Sequence, residues 1–415
     1  MKSPAQIAAY YFPNYHADRR NEILHGPGWT EWDLVRRAEP RFPGHHQPLV
    51  PEWGYEDEAD PRVMARKIDC AADHGIDTFI FDWYHYEDGP FLQRALDEGF
   101  LQAPNRERLQ FALMWANHTW IDIHPAKASP DPQADARILY PGEVSARAFR
   151  ELTTHCIEHY FREPNYWCID GCPYFSIYDL SRFIAGLGGL EPARAALENF
   201  RQSAKKAGLP GLHVNAVLWD YTILPGEQVV AKPGELLAHL GIDSFSSYVW
   251  MHHVQLDRFP ATPYPAAQRG YFDYWQRIEK EIPLPYLPNV TMGWDTSPRT
   301  LPSDRFRPLG YPFMATMGEN TPANFGAAVK AALEKLATSP NTLNALTINA
   351  WNEWTEGSYL EPDTHNGLQY LEAIRQAKKD CQGFLPAASV PDAQPIPIKI
   401  RQPPHHPVRL TIPAS

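Results

Sequence analysis

The 415-residue chain lacks several features that would assign it to other classes of protein. No stretch approaches the roughly 18 consecutive apolar residues of a membrane-spanning helix, so no transmembrane segment is expected. Basic residues number 38 against 49 acidic ones, a net charge of -11. Without a basic stripe, neither nucleic acid nor an anionic membrane surface is an expected partner. Cysteine is scarce: Cys70, Cys156, Cys168, Cys172 and Cys381 are an odd set, too sparse for a disulfide scaffold. The C-x3-C pair Cys168/Cys172 has no second pair to complete a zinc site, so no metal is expected. There is no P-loop, no H-E-x-x-H and no G-x-S-x-G. Met1-Lys2-Ser3-Pro4 runs straight into Ile7–Phe12 without a secretory apolar region and cleavage site, which reads as a cytoplasmic protein.

What is abundant is aromatic and imino. Apolar residues make up 44% and charged residues 21%, the balance of a folded chain. Proline, at 41, is about twice its average usage. Thirteen tryptophans accompany 20 tyrosines and 19 phenylalanines. Most of these rings are core material, but tryptophan also stacks on the apolar C–H faces of sugars.

Eight short β-rich runs recur: Gln6–Tyr15, Asp77–Tyr84, Gln110–Asn117, Tyr174–Asp179, Leu212–Trp219, Ser244–Trp250, Leu287–Trp294 and Ala345–Trp351. Most are continuously apolar, as strands buried on both faces are. Helical segments alternate with them. One opens at Asp60-Pro61 and stops at Gly75; Phe91–Gly99, Ser145–Phe161, Pro192–Gly208, Gly234–Leu240 and Ala266–Ile282 follow. Thr321-Pro322 opens another, to about Ala337, and Gly367–Lys379 closes the series. The alternation predicts an α/β protein with a (β/α)8 TIM barrel and long active-site loops. A doubly wound open sheet would favour a Gly-rich turn after the first strand, where Phe12-Pro13-Asn14-Tyr15 stands instead. The expected organisation is a catalytic barrel over 1–383, with an aromatic, lid-like loop over 16–60 and a proline-rich C-terminal tail over 384–415.

A barrel of this kind carries its active site at the C-terminal ends of the strands. Five of the eight predicted strands end in tryptophan beside a polar residue. The expected consequence is that Trp83, Trp115, Trp219, Trp250, Trp294 and Trp351 gather at one mouth as stacking platforms. Asp82 and Asp179 read either as hydroxyl-binding acids or as structural ones. His252 and His253 read as surface residues, with substrate contact as the other reading. Glu353 and Glu356 form the sharpest pair, since glycosidic cleavage needs two carboxyl groups. On a flat strand i and i+3 point to opposite faces, but a helical turn at Thr355 and Gly357 brings them to one side.

Trp351-Asn352-Glu353-Trp354-Thr355-Glu356-Gly357, closed by Glu361-Pro362, resembles the signature of glycoside hydrolase family 99. Ala9-Tyr10-Tyr11-Phe12-Pro13-Asn14-Tyr15, Gly28-Trp29-Thr30-Glu31-Trp32 and Phe81-Asp82-Trp83-Tyr84 resemble the N-terminal blocks of its WbsX-type relatives, and the likeness covers roughly 6–380. The resemblance implies a (β/α)8 barrel and retaining cleavage of an α-mannoside within a chain, with no cofactor. It implies that Glu353 deprotonates the sugar 2-hydroxyl, which attacks C1 to give a 1,2-anhydro intermediate, while Glu356 is the acid/base. The expected substrate-binding set is Tyr11, Trp29, Glu31, Asp82, Trp83, Tyr84, Trp115, Asn117, Trp219, Tyr248, Trp250, Trp294, Asn352 and Trp354, and the expected partner is an oligosaccharide or polysaccharide. A glycosyltransferase of surface-polysaccharide assembly and a non-catalytic carbohydrate-binding barrel are the competing readings.

Overall fold

The computed structural model describes residues 5–129 and 137–382, so the tail predicted over 384–415 lies outside the described residues. The barrel strands are β1 (Gln6–Tyr11), β2 (Thr78–Tyr86), β3 (Gln110–Trp115), β4 (Cys172–Ile177), β5 (His213–Val217), β6 (Ser244–Ser246), β7 (Tyr286–Leu287 and Asn289–Thr291) and β8 (Ala345–Asn349). They pair in parallel, each with its successor. The first half of β7 pairs with β6 and the second half with β8, which pairs with β1. Pro288 separates the halves; it has no N–H to donate, so the ladder breaks there. The nine strand segments thus form a parallel TIM barrel. All eight predicted strands are present.

The helices are α1 (Pro61–Asp73), α2 (Ala146–His159), α3 (Leu190–Lys206), α4 (Pro233–Leu240), α5 (Tyr264–Glu281), α6 (Pro322–Thr338) and α7 (Gln369–Gln382). Their starts are legible chemistry. Asp60, Ser145 and Thr321 accept hydrogen bonds from backbone N–H groups of the first turn, and proline follows Asp60 and Thr321. The helix predicted over Phe91–Gly99 is instead a short wide turn at Ala95–Phe100, preceded by Gly89–Phe91 paired back on β2. A short helix over Leu180–Gly186, capped by Asp179, was not predicted. The long segment 16–60 holds two more, Arg19–His25 and Trp32–Arg37.

Side chains alternate between the barrel interior and the helical layer. The interior is unusually polar. Asn215 accepts from Ser176 Oγ (2.9 Å) and Ser246 Oγ (2.8 Å) and donates to Ser244 Oγ (2.9 Å). Asn289 donates to Thr347 at 3.1 Å. These groups are buried and mutually satisfied, which keeps their desolvation affordable. The outer faces are aromatic: Trp115 packs on Phe149 of α2, and Trp250 on Tyr264 and Tyr271 of α5. All five cysteines are free thiols. Among the described residues, no helix is long and apolar enough to cross a membrane.

Candidate active site

Just past β8 the chain folds into a tight hairpin. Asn352–Glu353 pairs antiparallel with Ser358–Tyr359, and Trp354–Glu356 makes one turn of 3-10 helix. In such a turn i and i+3 eclipse, so Glu353 and Glu356 emerge on one side. Gly357 closes the turn at φ 62°, and a Cβ there would lie 2.7 Å from that of Asp295. Only glycine satisfies both demands.

The hairpin is pinned from below. Asn352 exchanges two hydrogen bonds with the backbone of Phe12, accepting at 2.8 Å and donating at 2.7 Å. It also donates to Glu58 (2.8 Å), and Trp354 Nε1 donates to Glu361 (2.7 Å). Buried Lys67 of α1 bridges these two carboxylates at 2.5 and 2.6 Å. Burial lifts Glu58 to about 7, against the pull of Lys67.

Above the hairpin, Arg299 reaches in from the loop after β7. Its Nη2 donates to Glu353 at 2.7 Å and its Nη1 to Glu356 at 2.7 Å. Nη2 also meets Glu31 at 3.2 Å. Tyr311 donates to Glu356 at 2.6 Å. Glu31 is fully buried, held by Asn14 (3.1 Å), His124 (3.2 Å) and Thr355. Across the mouth, Tyr248 donates to Asp82 at 2.7 Å.

The charges are unevenly distributed. Burial pushes Glu353 well above the ordinary carboxylate range, against Arg299 and with help from Glu356 and Glu31. Burial also raises Glu356, but there Arg299 and the Tyr311 hydrogen bond both favour the ionised form. Asp82 is driven well up by burial. Glu31 goes the other way: burial would raise it, yet Arg299, His124 and Thr355 prevail and bring it to about 2. Arg299 stays charged, since Glu31, Tyr311, Glu356 and Glu353 together outweigh its burial. The pair Glu353/Glu356 titrates as a unit that retains a proton more readily than free carboxylates do.

These groups open into a cleft of about 680 Å³, its open mouth included. Of the predicted set, Glu353, Glu356, Asp82, Tyr84, Tyr248 and Trp294 line it. Glu31 stands directly behind Arg299. Trp29 sits at the rim, stacked on His25 (4.1 Å between ring centroids) and edge-on to His124 (6.0 Å), which lines the cleft. Trp219 is one layer back, stacked on His252. Among the described residues, Asp82 Oδ1 and Trp294 Nε1 are buried without a hydrogen-bond partner.

The other predicted residues lie elsewhere. Trp83 and Trp115 pair side by side in register on the outer face, Trp83 against Tyr160 and His155 and Trp115 against Phe149 and Phe183. Trp250 packs outward on α5, and Tyr11 packs on Phe79 and Phe81 beneath Lys67. Trp351 packs at a tilt on Phe79. Trp354 lies flat on Tyr359, 3.8 Å between centroids. Asn117 clasps the backbone of Asp179 with two 2.8 Å bonds, and Asn352 is the pin described above. Four of the six tryptophans expected at the mouth are therefore packing residues. The expectation failed because strand neighbours point to opposite faces: Asp82 and Tyr84 face in, so Trp83 faces out. Asp179 is a helix cap, its structural reading. His252 and His253 are not at the surface. His252 lines the cleft within reach of Tyr178 (3.4 Å), and His253 is buried on Tyr274.

Sequence reasoning missed Phe12, Trp120, Tyr178, Arg299 and Tyr311, all of which line the cleft. Phe12 and Tyr178 carry a signal, each two residues beyond an inward-facing position, Tyr10 and Ser176. Arg299 and Tyr311 carry none, because the loop from 292 to 315 has no periodicity to orient them.

The family model described as "Glycosyltransferase WbsX" matches residues 7–374. Two curated relatives, each described as the uncharacterized protein WxcX, come from Xanthomonas campestris pv. campestris strains B100 and ATCC 33913. Each is 26% identical over 90% of this chain and 50% of its own length. The chain thus spans about half the length of the curated relatives it matches. Among solved structures, the GH99 endo-alpha-mannosidase from Bacteroides thetaiotaomicron superposes with a TM-score of 0.53 at 15% identity, covering 91% of this chain and 98% of that one. A glycoside hydrolase-like protein superposes with a TM-score of 0.58 at 14% identity, over 91% of this chain and 94% of the other. At these identities the likeness establishes the shared barrel.

Proposed function

The chain belongs to the WbsX family, and from that premise and the geometry of the cleft we propose that it is a retaining glycoside hydrolase acting on an α-linked, mannoside-like glycan. The observation that carries this reading is the shared guanidinium. Arg299 binds Glu353 and Glu356 side by side at one end of a cleft, while Tyr311 reaches only Glu356. Two carboxyl groups with unlike surroundings meet the requirement for one base and one acid.

The surroundings of the two carboxyl groups favour the proton on Glu353. The proposed route, whose roles rest on the family resemblance, requires that proton to pass to Glu356 when substrate binds. Glu353, then ionised, takes the proton of the sugar 2-hydroxyl. O2 attacks C1 as the C1–O bond to the leaving group breaks, and Glu356 gives its proton to the departing oxygen. A 1,2-anhydro sugar results. Glu356, now ionised, takes a proton from water, whose oxygen opens the ring at C1, and O2 recovers its proton from Glu353. Two inversions at C1 give net retention. Asp82, Tyr84, Tyr248, Trp294 and Glu31 are the proposed substrate-binding or site-ordering groups, and no cofactor enters.

The family description favours a second reading, transfer from an activated donor. The charge of the cleft weighs against it. Glu31, Glu353 and Glu356 already engage Arg299, so its guanidinium is committed to carboxyl groups and does not present a free cation to an anionic diphosphate. Incubation with α-linked oligosaccharides, with and without nucleotide sugars, separates the two. New reducing ends without a donor are expected; elongation that requires a donor would establish transfer instead.

A further inference from the structure

Polar atoms left unmet gather around the cleft. Besides Asp82 Oδ1 and Trp294 Nε1, the arc from β3 to β6 adds Trp120 Nε1, His124 Nδ1 and His252 Nδ1, each without a hydrogen-bond partner among the described residues. Trp120, His124 and His252 all line the cleft, yet they are only 4%, 6% and 1% exposed. Unmet polar atoms at such depth are costly, and the interior below shows the usual remedy, with Asn215 and its three serines meeting one another. The rings are also held in place. His124 stacks on Trp120 at 5.5 Å between centroids, and its Nε2 lies 3.2 Å from Glu31. His252 stacks on Trp219 at 5.1 Å, and its Nε2 lies 3.4 Å from the Tyr178 hydroxyl and 3.6 Å from Glu227.

The two histidines share one construction: Nε2 faces a buried carboxylate. Glu31 is held at about 2. Burial would raise Glu227, yet His252, the backbone of Ile223 and Tyr178 hold it below the ordinary carboxylate value. A carboxylate so placed draws the ring proton to Nε2, which leaves a lone pair on Nδ1 of the neutral ring, whereas an indole N–H can only donate. The arc therefore asks its ligand for two donors and one acceptor, and hydroxyl groups supply both. Taking from the proposed function only that the ligand is a glycan, we propose that Trp120, His124 and His252 are specificity-determining residues: the two Nδ1 atoms receive glycan hydroxyls, and the indole N–H donates to a glycan oxygen. A sugar without a hydroxyl at one of these points strands a buried group, which is a strong basis for rejecting it.

The test is calorimetry with methyl α-mannobiosides on the Glu356→Gln protein, alone and with one further change. His124→Gln and His252→Gln keep a polar group near Nε2 and delete Nδ1; His124→Asn and His252→Asn do the reverse. Trp120→Phe deletes the N–H and keeps an aromatic ring. The Gln and Phe changes should weaken binding by about 10-fold or more, and the Asn changes should keep most of it. A monodeoxy ligand that loses affinity for the Asn protein, but loses no more for the Gln protein, identifies the hydroxyl received. Asn and Gln proteins that bind alike, Gln proteins that bind as tightly as the Glu356→Gln protein alone, or no binding by any of them overturns the inference. The Asn–Gln contrast without release of reducing ends by the unaltered protein upholds the inference and overturns the hydrolase reading. Reducing ends released equally with and without the five changes do the opposite, so the two failures are told apart.

Discussion

Tyr311 donates its phenolic hydrogen to Glu356 at 2.6 Å. That bond favours the ionised carboxylate and holds down a value that burial pushes up. Tyr311→Phe should therefore raise the Glu356 value further. If Glu356 is the acid, the alkaline limb of the pH–rate profile moves to higher pH. A profile that falls in height but keeps its limbs would detach Tyr311 from the titrating group.

The two glutamates should fail differently. Glu356→Gln should cost roughly 10²- to 10⁴-fold on substrates with poor leaving groups, the usual worth of general acid catalysis, and far less on activated aryl glycosides. Glu353→Gln should slow both kinds, because the 2-hydroxyl keeps its proton. Mass spectrometry of the enzyme quenched during turnover of a 2-deoxy-2-fluoro glycoside should show no adduct; a stable one on Glu353 would restore a covalent route.

Removing Arg299 leaves Glu31, Glu353 and Glu356 buried together. Arg299→Met should destabilise the fold by about 3–5 kcal/mol at neutral pH, the cost of stranding buried charges. Arg299 lowers all three carboxyl values, so its loss raises them. The deficit is then largest where those groups are forced to ionise, and it shrinks as pH falls and they take up protons. Urea unfolding at two pH values reads this; a deficit independent of pH would point to packing alone.

The six tryptophans divide cleanly. Trp294→Ala should weaken sugar binding by order 1–3 kcal/mol through lost apolar contact. Trp83→Ala, on the outer face, should leave binding intact and cost about 3–5 kcal/mol of stability. Calorimetry and denaturation on both variants check the assignment.

His16 is fully buried, and burial, aided by Arg94, brings its ring to about 3 from an ordinary 6.5. It is neutral in the fold and protonated in the unfolded chain below pH 6.5. Its contribution is whole above that value and is lost as pH falls from 6.5 towards 3. The stability of His16→Leu relative to the unaltered protein should rise over that interval with a slope approaching one proton. A flat difference between pH 7 and 4 would show that the ring titrates normally.

How much of this could be read beforehand depended on which physical signal each residue carried. The strands announced themselves, because a segment buried on both faces must be apolar throughout. The same property concealed the site. In Phe81-Asp82-Trp83-Tyr84 nothing in composition says which alternate residues face the axis, and tryptophan was credited to the wrong face. Glu353 and Glu356 were legible because a short turn couples them locally. Arg299, which joins them, comes from 54 and 57 positions away, and only tertiary packing puts it there.

Lys67 lies beneath the reacting groups, between Glu58 and Glu361, and each of those acids holds one residue of the hairpin. A hairpin shifted by a single position would hand Asn352 and Trp354 to the wrong acceptors and turn the two glutamates away from the cleft. It would also leave an ammonium group in the interior with its partners misaligned, at a penalty of several kcal/mol. The first helix thus acts as a gauge for the last strand: the chain closes with both acids on the correct side, or it does not close stably.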